Sequence, residues 1–227
     1  MVVLLKRPFT FILSEMTLDG KLTSKKGESS KLIMEYMDEA SKKFLHEQRA
    51  SSDAIMVGCN TIKIDDSSLT VRYAEGKNPL RVIPCSLADI PLDSNVLEGD
   101  APTIIATSER APKENIDAIK ERNAEVIVCG RDKVDLKLLM DKLFKRGIER
   151  LMVEGGPTLL WNLLKNRLVD EIKIIHIPFI VGGRDAPSLV GGEGIKSLNE
   201  SIWVELKDTK MVGRDLVTEY DVVYEKR

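Results

Sequence analysis

The chain has 227 residues, of which 43% are hydrophobic and 31% are charged, so it is long enough for one large α/β domain or two small ones. Its formal net charge of -2 excludes the basic excess that is typical of nucleic-acid-binding domains. No apolar run reaches the ~18 residues that a membrane-spanning helix needs, and the segment before Pro8 is too short for a signal peptide, so we expect a cytoplasmic protein.

Most of the chain predicts short apolar strands that alternate with helices. The strands are expected at residues 9–13, 54–58, 80–84, 103–106, 125–129, 150–153 and 171–177. The helices are expected from Ser29 or Ser30 to about Arg49, in one turn after Asn60, and at residues 112–123, 135–147 and 157–165. Strands that are apolar along their whole length are typical of a mostly parallel sheet that helices cover on both faces.

The C-terminal part breaks this alternation. The glycine-rich residues 181–194 predict a loop, and residues 204–211 and 216–224 alternate as half-exposed strands do. Gly213-Arg214-Asp215 lies between these two strands as a hairpin turn. We therefore expect an antiparallel hairpin at the edge of the sheet. Since no linker divides the chain, residues 1–227 are predicted to form a single domain.

The segment Glu154-Gly155-Gly156-Pro157-Thr158 directly follows a predicted strand and opens a predicted helix. Ligands of open α/β sheets bind beyond the carboxyl ends of strands. Paired glycines let an anion approach the backbone amides at a helix start. The segment is thus a candidate anion site with a carboxylate beside it, although Gly-Gly-Pro is also an ordinary strand-to-helix turn.

Two loops earlier in the chain also follow predicted strands. The first, Thr17-Leu18-Asp19-Gly20-Lys21, contains an Asp-Gly turn, which is usually structural, and then a lysine that is able to bind an anion or donate a proton. In the second loop, Thr61 begins a helix and either caps that helix or binds a phosphate or a ribose. Asp65 and Asp66 make a poor metal site, because no histidine or third carboxylate lies nearby.

A fourth group of candidates follows the strands that end near residues 84, 106 and 129. Its members are Pro84, Ser86, Thr107, Ser108, Arg110, Arg131 and Lys133. Hydroxyl groups and a guanidinium suit the 2′-phosphate of an adenosine, because a guanidinium pairs with phosphate through two hydrogen bonds. Solvated loops have the same composition, so both interpretations stay open.

Cysteine and histidine are sparse. Cys59, Cys85 and Cys129 are odd in number and form no C-x-x-C pair, which indicates reduced thiols rather than a disulfide framework. His46 and His176 are far apart in sequence, so we predict no metal site. The chain also lacks the glycine-rich Rossmann and P-loop motifs, the G-x-S-x-G elbow and the signature of zinc nucleobase deaminases.

Five segments, in this order along nearly the whole chain, resemble one enzyme family. They are Thr17-Leu18-Asp19-Gly20-Lys21, Gly27-Glu28-Ser29, Arg49-Ala50-Ser51-Ser52-Asp53-Ala54, Thr61 with Asp65-Asp66 and Leu69-Thr70-Val71-Arg72, and Val153-Glu154-Gly155-Gly156-Pro157-Thr158-Leu159. The pattern resembles the riboflavin-pathway reductases. These are the stand-alone 2,5-diamino-6-ribosylamino-4(3H)-pyrimidinone 5′-phosphate reductases of archaea and fungi, and the reductase half of the bacterial bifunctional deaminase–reductase. The short chain is most similar to the archaeal form.

The resemblance implies a dihydrofolate-reductase-like α/β fold, a homodimer, and NADPH as hydride donor, with NADH as the alternative. It implies reduction of the ribosyl side chain to a ribityl chain, before deamination, because the chain has no deaminase half. The implied cofactor contacts are Thr61, Asp65, Gly155, Gly156, Pro157 and Thr158. The implied substrate contacts are Ser29, Arg49, Leu69, Arg72 and Glu154. A longer spacing than in the bacterial pattern leaves Ser29 and Ser30 as alternatives at one position.

Lys21 and Glu154 are the candidates for handling protons at the reacting ribose, and Lys21 matches a basic residue near it. Arg49 and Arg72 suit the 5′-phosphate of the substrate by charge and geometry. Two alternatives remain at this point. One is dihydrofolate reductase itself or a related pterin reductase, which the paired arginines disfavour. The other is a nucleotide-binding module without catalytic activity.

Overall fold

The computed structural model describes residues 6–99, 101–122 and 124–225. The strands within these residues are β1 (Phe9–Thr17), β2 (Ala54–Val57), β3 (Leu80–Pro84), β4 (Thr103–Thr107), β5 (Glu125–Val128), β6 (Arg150–Gly155), β7 (Glu171–Ile177), β8 (Trp203–Val212) and β9 (Asp215–Val223). The helices are α1 (Lys31–Met34), α2 (Glu39–Ala50), α3 (Cys59–Asp65), α4 (Lys113–Lys120), α5 (Leu136–Lys145) and α6 (Pro157–Lys165). Single turns of 3-10 helix lie at Asn95–Leu97 and Leu198–Glu200.

These strands form one sheet in the order β5-β4-β3-β2-β6-β1-β7-β9-β8. The strands from β1 to β7 are parallel, whereas β9 pairs antiparallel with both β7 and β8. The predicted α/β class, with a mostly parallel sheet and an antiparallel C-terminal hairpin, is therefore confirmed. Because parallel strands end at one edge of a sheet, the carboxyl ends of the central neighbours β1, β2 and β6 meet there.

Helices cover both faces of the sheet because the central strands are apolar on both sides. All residues of β2 are buried, and successive side chains of a strand point to opposite faces. On one face Met56 and Val153 lie in a cluster with α5 and α6. On the other face Ile55 clusters with α3 and α4, and Met152 clusters with α1 and α2. Each such buried side chain contributes about 1.5–3 kcal/mol relative to exposure, so the sheet is a firm support for its loops.

The long helix predicted up to Arg49 is wrong as a single element, because α1 and α2 are separated by residues 35–38. Asp38 has an extended backbone, and its carboxylate accepts a hydrogen bond from the N–H of Ala40 at 2.9 Å, which caps α2. The N–H of Asp38 in turn donates to the buried carboxylate of Asp215 at 2.9 Å. The break thus depends on a residue of the C-terminal hairpin.

The other elements lie where the sequence predicts them, with ends that differ by a few residues. β1 continues beyond residue 13 to Thr17, and the helix predicted to reach residue 123 ends at Lys120; residue 123 itself lies outside the described residues. The glycine-rich residues 181–194 form a loop, as predicted. No helix among the described residues is long and apolar enough to cross a membrane. Residues 1–5 of the N-terminal segment lie outside the description.

Cys59 and Cys85 form a disulfide, with their Cα atoms 5.1 Å apart, so the expectation of reduced thiols is wrong for this pair. Their separation of 26 residues equals the offset at which β2 pairs with β3, where Ala54 faces Leu80. Each cysteine comes shortly after its strand, and the parallel pairing therefore brings the two together. Cys129 is free and buried.

Candidate active site

The turn between β6 and α6 joins the end of β2 at the carboxyl edge of the sheet. The N–H of Gly58 donates to the carbonyl of Gly155 at 2.9 Å, and the N–H of Gly156 donates to the hydroxyl of Thr61 at 3.2 Å. Gly155 has a φ of 149°, a conformation that side-chain-bearing residues avoid. Pro157 occupies the first turn of α6, as the sequence predicts.

The two glycines of this turn serve different purposes. A Cβ added to Gly156 would lie 2.6 Å from the Thr61 hydroxyl oxygen, whereas a Cβ added to Gly155 would meet no atom within 4 Å. Gly156 therefore permits the close contact with Thr61, and Gly155 faces open space. The first N–H groups of a helix have no partner within the helix and carry partial positive charge. The turn thus has the form of an anion cradle.

Beside this cradle, Arg49 and Glu154 form a bidentate ion pair. The Nε and Nη2 atoms of Arg49 lie 2.5 and 2.7 Å from the two carboxylate oxygens of Glu154, and Nη1 donates to the carbonyl of Thr70 at 3.0 Å. The side chains are only 4% and 14% exposed. Burial opposes the charge of Arg49, but Glu154 outweighs it and raises the pKa of Arg49. Each nitrogen of the guanidinium therefore donates a hydrogen bond to a protein group.

Arg72 is the exposed cation of this region. Its guanidinium contacts only the hydroxyl of Thr70, at 3.3 Å, and among the described residues no carboxylate pairs with it. Burial and the neighbouring charge of Arg49 lower the pKa of Arg72. The backbone N–H of Arg72 donates to Nδ1 of His46 at 2.9 Å. Burial, with the charges of Arg49 and Arg72, lowers the pKa of His46 to about 3, so this histidine is neutral.

The predicted pair Asp65 and Asp66 holds two different loops. Asp65 is buried and accepts from the N–H and the hydroxyl of Ser30, at 3.1 and 2.8 Å, so Ser30 rather than Ser29 contacts it. Asp66 accepts from the backbone N–H and the side-chain amide of Asn95, at 2.8 and 2.6 Å. Leu69, which follows, is buried and has a φ of 54°.

Asp19 fastens the Asp-Gly turn to the glycine-rich loop. Its carboxylate accepts from the hydroxyl of Thr17 at 2.6 Å and from the N–H of Gly182 at 2.7 Å. These hydrogen bonds lower the pKa of Asp19 to about 2, and the hydroxyl of Thr17 has the largest effect. Lys21 lies beside the same loop, with Nζ 3.4 Å from the carbonyl of Ala186. In the described part of the chain Lys21 makes no hydrogen bond or ion pair with Glu154.

The hydroxyl residues of the fourth candidate group hold neighbouring loops together. The hydroxyl of Thr107 donates to the carbonyl of Ser86 at 2.9 Å, and the hydroxyl of Ser86 accepts from the N–H of Val134 at 3.1 Å. Pro84 ends β3, and Arg131 is exposed after β5. The group follows β3, β4 and β5, on the side of the glycine turn away from β1.

One cluster of metal-ligand side chains exists among the described residues, at Cys59, Cys85 and Asp89. Its two sulfur atoms are joined in the disulfide, and the carboxylate of Asp89 forms an ion pair with Lys63 at 2.6 Å. The arrangement therefore fits a cross-link with an adjacent surface ion pair better than a metal centre.

Glu15 is a site residue that the sequence analysis missed. It lies on β1 beyond the predicted end of that strand, on the same face as Phe11 and Leu13. Glu154, Arg49 and Asp65 are close enough to affect its ionisation. A charged residue two positions after a buried Leu in an apolar strand was the available signal.

A model of the RibD C-terminal domain family matches residues 8–218. The chain belongs to the RibD C-terminal domain family. A 2,5-diamino-6-ribosylamino-4(3H)-pyrimidinone 5′-phosphate reductase of Aquifex aeolicus is 54% identical over 220 residues, which cover 96% of this chain and 98% of that protein. A protein of the same name from Methanothermobacter thermautotrophicus is 46% identical over 219 residues, covering 95% of this chain and 99% of that protein. The family resemblance read from the sequence is thereby confirmed.

Solved structures agree with this RibD C-terminal domain in fold. Acinetobacter baumannii RibD, form 2, superposes with a TM-score of 0.80 at 21% identity, over 96% of this chain and 58% of that chain. Riboflavin Biosynthesis Reductase Rib7 of Saccharomyces cerevisiae gives a TM-score of 0.70 at 21% identity, over 98% of this chain and 93% of that chain.

We predict that Arg49→Ala lowers the free energy of unfolding of this domain by about 3–5 kcal/mol, because it leaves the largely buried Glu154 carboxylate without a partner. Arg146→Ala is the matched control, since Arg146 forms a bidentate pair with Glu125 at the surface, where loss costs about 1 kcal/mol or less. Urea denaturation measures both variants. Equal losses would show that burial of the Arg49 pair has no energetic consequence.

Proposed function

We propose that the protein is the NADPH-dependent reductase that converts 2,5-diamino-6-ribosylamino-4(3H)-pyrimidinone 5′-phosphate to its ribitylamino product in riboflavin biosynthesis. The relatives with this name match almost the full length of the chain at 54% and 46% identity. The structural observation that carries the proposal is the anion cradle of residues 155–158 next to the carboxylate of Glu154 and the exposed Arg72.

The glycine turn fits the pyrophosphate of a dinucleotide. The open space at Gly155 offers room for an anion, and the N–H groups of Thr158 and Leu159 in the first turn of α6 have no helical partner and offer donors. The Thr61 hydroxyl lies beside them, bound by the N–H of Gly156. A reduced nicotinamide, when bound, supplies a hydride to C1′ of the ribose. We assign NADPH rather than NADH because Arg131 and Lys133 are exposed cations on the same edge that suit a 2′-phosphate.

Several of the predicted cofactor residues have a structural role in this proposal, because they bind other protein groups. Ser86 and Thr107 shape the loops after β3 and β4, Pro84 ends β3, and Asp65 fixes Ser30 beside α3. Their contribution is to position the edge on which the dinucleotide lies.

The substrate residues divide between phosphate and ribose. Arg72 binds the 5′-phosphate, since it is exposed and has no carboxylate partner among the described residues. Arg49, whose charge acts on Arg72, adds to the positive potential at this position. Glu154, which Arg49 holds in one orientation, accepts hydrogen bonds from ribose hydroxyls. Lys21 binds or protonates the ribose from the Asp-Gly turn, which lies beside the glycine-rich loop. Ser29 or Ser30, together with Leu69, completes the set of substrate residues.

The decisive assay follows the loss of reduced-nicotinamide absorbance with NADPH and the diaminopyrimidine ribosyl phosphate. We expect turnover with this substrate and none with dihydrofolate, which separates the proposal from a dihydrofolate or pterin reductase. NADPH binding without turnover on either substrate would instead support a non-catalytic module. Glu154→Gln should lower turnover by about 10²-fold or more while NADPH affinity is retained, since Glu154 is assigned to the reacting ribose and not to the cofactor.

Gly156→Ala is predicted to weaken NADPH binding, because its methyl group displaces the Thr61 hydroxyl from the cradle. We expect a loss of about tenfold or more by calorimetry, equivalent to about 1.4 kcal/mol. Gly58→Ala is the matched control, since its Cβ meets only ordinary contacts at 3.6 Å or more. Unchanged affinity in Gly156→Ala would contradict the assignment of the cradle to the cofactor.

We further propose a homodimer formed through the C-terminal hairpin. β8 is the edge strand of the sheet, and Trp203, Leu206 and Met211 are 60–67% exposed on it. A cavity of about 660 Å³ lies beside it between α6 and the hairpin, lined in part by Trp161, Trp203 and Tyr224. Among the described residues no strand pairs with the outer edge of β8, and an unpaired edge that carries exposed apolar side chains is a template for pairing with another chain.

Leu206→Asp should convert the dimer to monomers of 25.4 kDa, because it buries a charge at the interface. Leu138→Asp, on the outer face of α5, is the control and should leave the mass unchanged. Sedimentation equilibrium measures both, and a wild-type chain that sediments as a monomer would refute this interface.

We also retain two proposals from the sequence, that residues 1–227 act as one domain and that the enzyme works in the cytoplasm. The second is supported by the chemistry of the proposed cofactor and substrate, which are phosphorylated metabolites held inside cells.

A further inference from the structure

We propose that Glu15 is the acid that opens the ribose ring of the substrate, a role that rests on the proposed reductase function. The placement of Glu15 comes from the central strands. β1 and β6 pair in parallel as far as Ile12 beside Val153, and Leu13 and Glu154 are the next residues of the two strands. Glu15 lies two residues beyond Leu13 on β1, so its side chain points to the same face, nearer the carboxyl edge. Glu15 and Glu154 therefore share one face and one edge of the sheet.

The groups around Glu15 favour a neutral carboxylic acid. Glu154 approaches from β6, Asp65 from α3 and Arg49 from α2, while its neighbour on β7 is the apolar Ile175. The one cation in this set, Arg49, is already bound by both oxygens of Glu154. Burial and the carboxylate of Glu154 raise the pKa of Glu15 to about 7, and Asp65 adds to this rise. The backbone N–H of Glu15 and the charge of Arg49 act in the opposite direction.

Glu15 is also free to react. Among the described residues it forms no ion pair and no side-chain hydrogen bond with another side chain, and it is half-buried rather than sealed. Glu154, in contrast, is bound as a carboxylate by a guanidinium. When two neighbouring carboxyl groups have different environments, one can serve as an acid while the other keeps its negative charge. Lys21, the other candidate donor, lies against the carbonyl of Ala186 on a loop.

The proton balance of the reaction fits one acid. As the C1′–O4′ bond breaks, O4′ takes the proton of Glu15, and the lone pair of the exocyclic nitrogen forms a C1′=N bond. The resulting cationic iminium faces the new carboxylate of Glu15. A bound reduced nicotinamide would supply the hydride that converts this iminium to the neutral ribitylamine. Each turnover would thus consume one proton, which Glu15 gives to O4′ and regains from the solvent.

The test compares Glu15→Gln, which keeps the shape of the side chain but carries no acidic proton, with the wild type. We expect kcat to fall by about 10²–10⁴-fold, the usual range for loss of a general acid, with NADPH affinity unchanged. The wild-type kcat should fall as the pH rises through about 7, because Glu15 loses its proton there, and the variant should lack this limb. In Glu15→Gln, the kinetic isotope effect on kcat from C4-deuterated NADPH should approach one, because ring opening becomes the rate-limiting step.

Glu114→Gln, on the exposed side of α4, is the control and should match the wild type in all of these measurements. A second measurement needs neither turnover nor the variant's stability: carbon-13 NMR of labelled glutamate in the wild-type protein should show one carboxyl that titrates near 7. Retained kcat in Glu15→Gln, a persistent basic limb in that variant, or the lack of any glutamate carboxyl that titrates near 7 would overturn the proposal. A wild-type enzyme without turnover would instead overturn the reductase function and this role together.

Discussion

The buried ion pair between Arg49 and Glu154 is the interaction on which the site depends. Its partners are 105 residues apart and join the end of α2 to the end of β6. Taking two charges out of water costs several kcal/mol per ion, and the three hydrogen bonds of Arg49 are needed to offset that cost. The pair therefore contributes orientation more than net stability, since it holds the Glu154 carboxylate in one direction beside the glycine turn.

The same fixed charges give the two glutamates of this edge different properties. Because Glu154 takes up the guanidinium, Glu15 meets a neighbouring carboxylate without a cation of its own. A protonated acid and a bound carboxylate can thus lie on adjacent strands. The glycine turn sits on the far side of Glu154 from Glu15, so that phosphate binding and proton transfer use different parts of one sheet edge.

Local patterns in the sequence predicted most strands, the hairpin and the Glu154-Gly155-Gly156-Pro157 turn, because short apolar runs and turn residues act over a few positions. The errors came from contacts between distant parts of the chain. The helix breaks before Asp38 because Asp215 holds its N–H, and the disulfide follows from the β2–β3 register. Glu15 was missed because the apolar pattern stops at residue 13, whereas pairing with β7 extends the strand to residue 17.

The disulfide between Cys59 and Cys85 has a consequence for handling the protein. It closes a loop across 26 residues, and in the chain-entropy account such a cross-link restricts the unfolded chain enough to stabilise the fold by about 3.5 kcal/mol. It also ties the first residue of α3, the helix that carries Thr61, to the loop that carries Ser86. A preparation kept in a thiol reductant would thus be a less heat-resistant protein with looser loops at the cofactor edge, and melting temperatures are comparable only between samples of the same oxidation state.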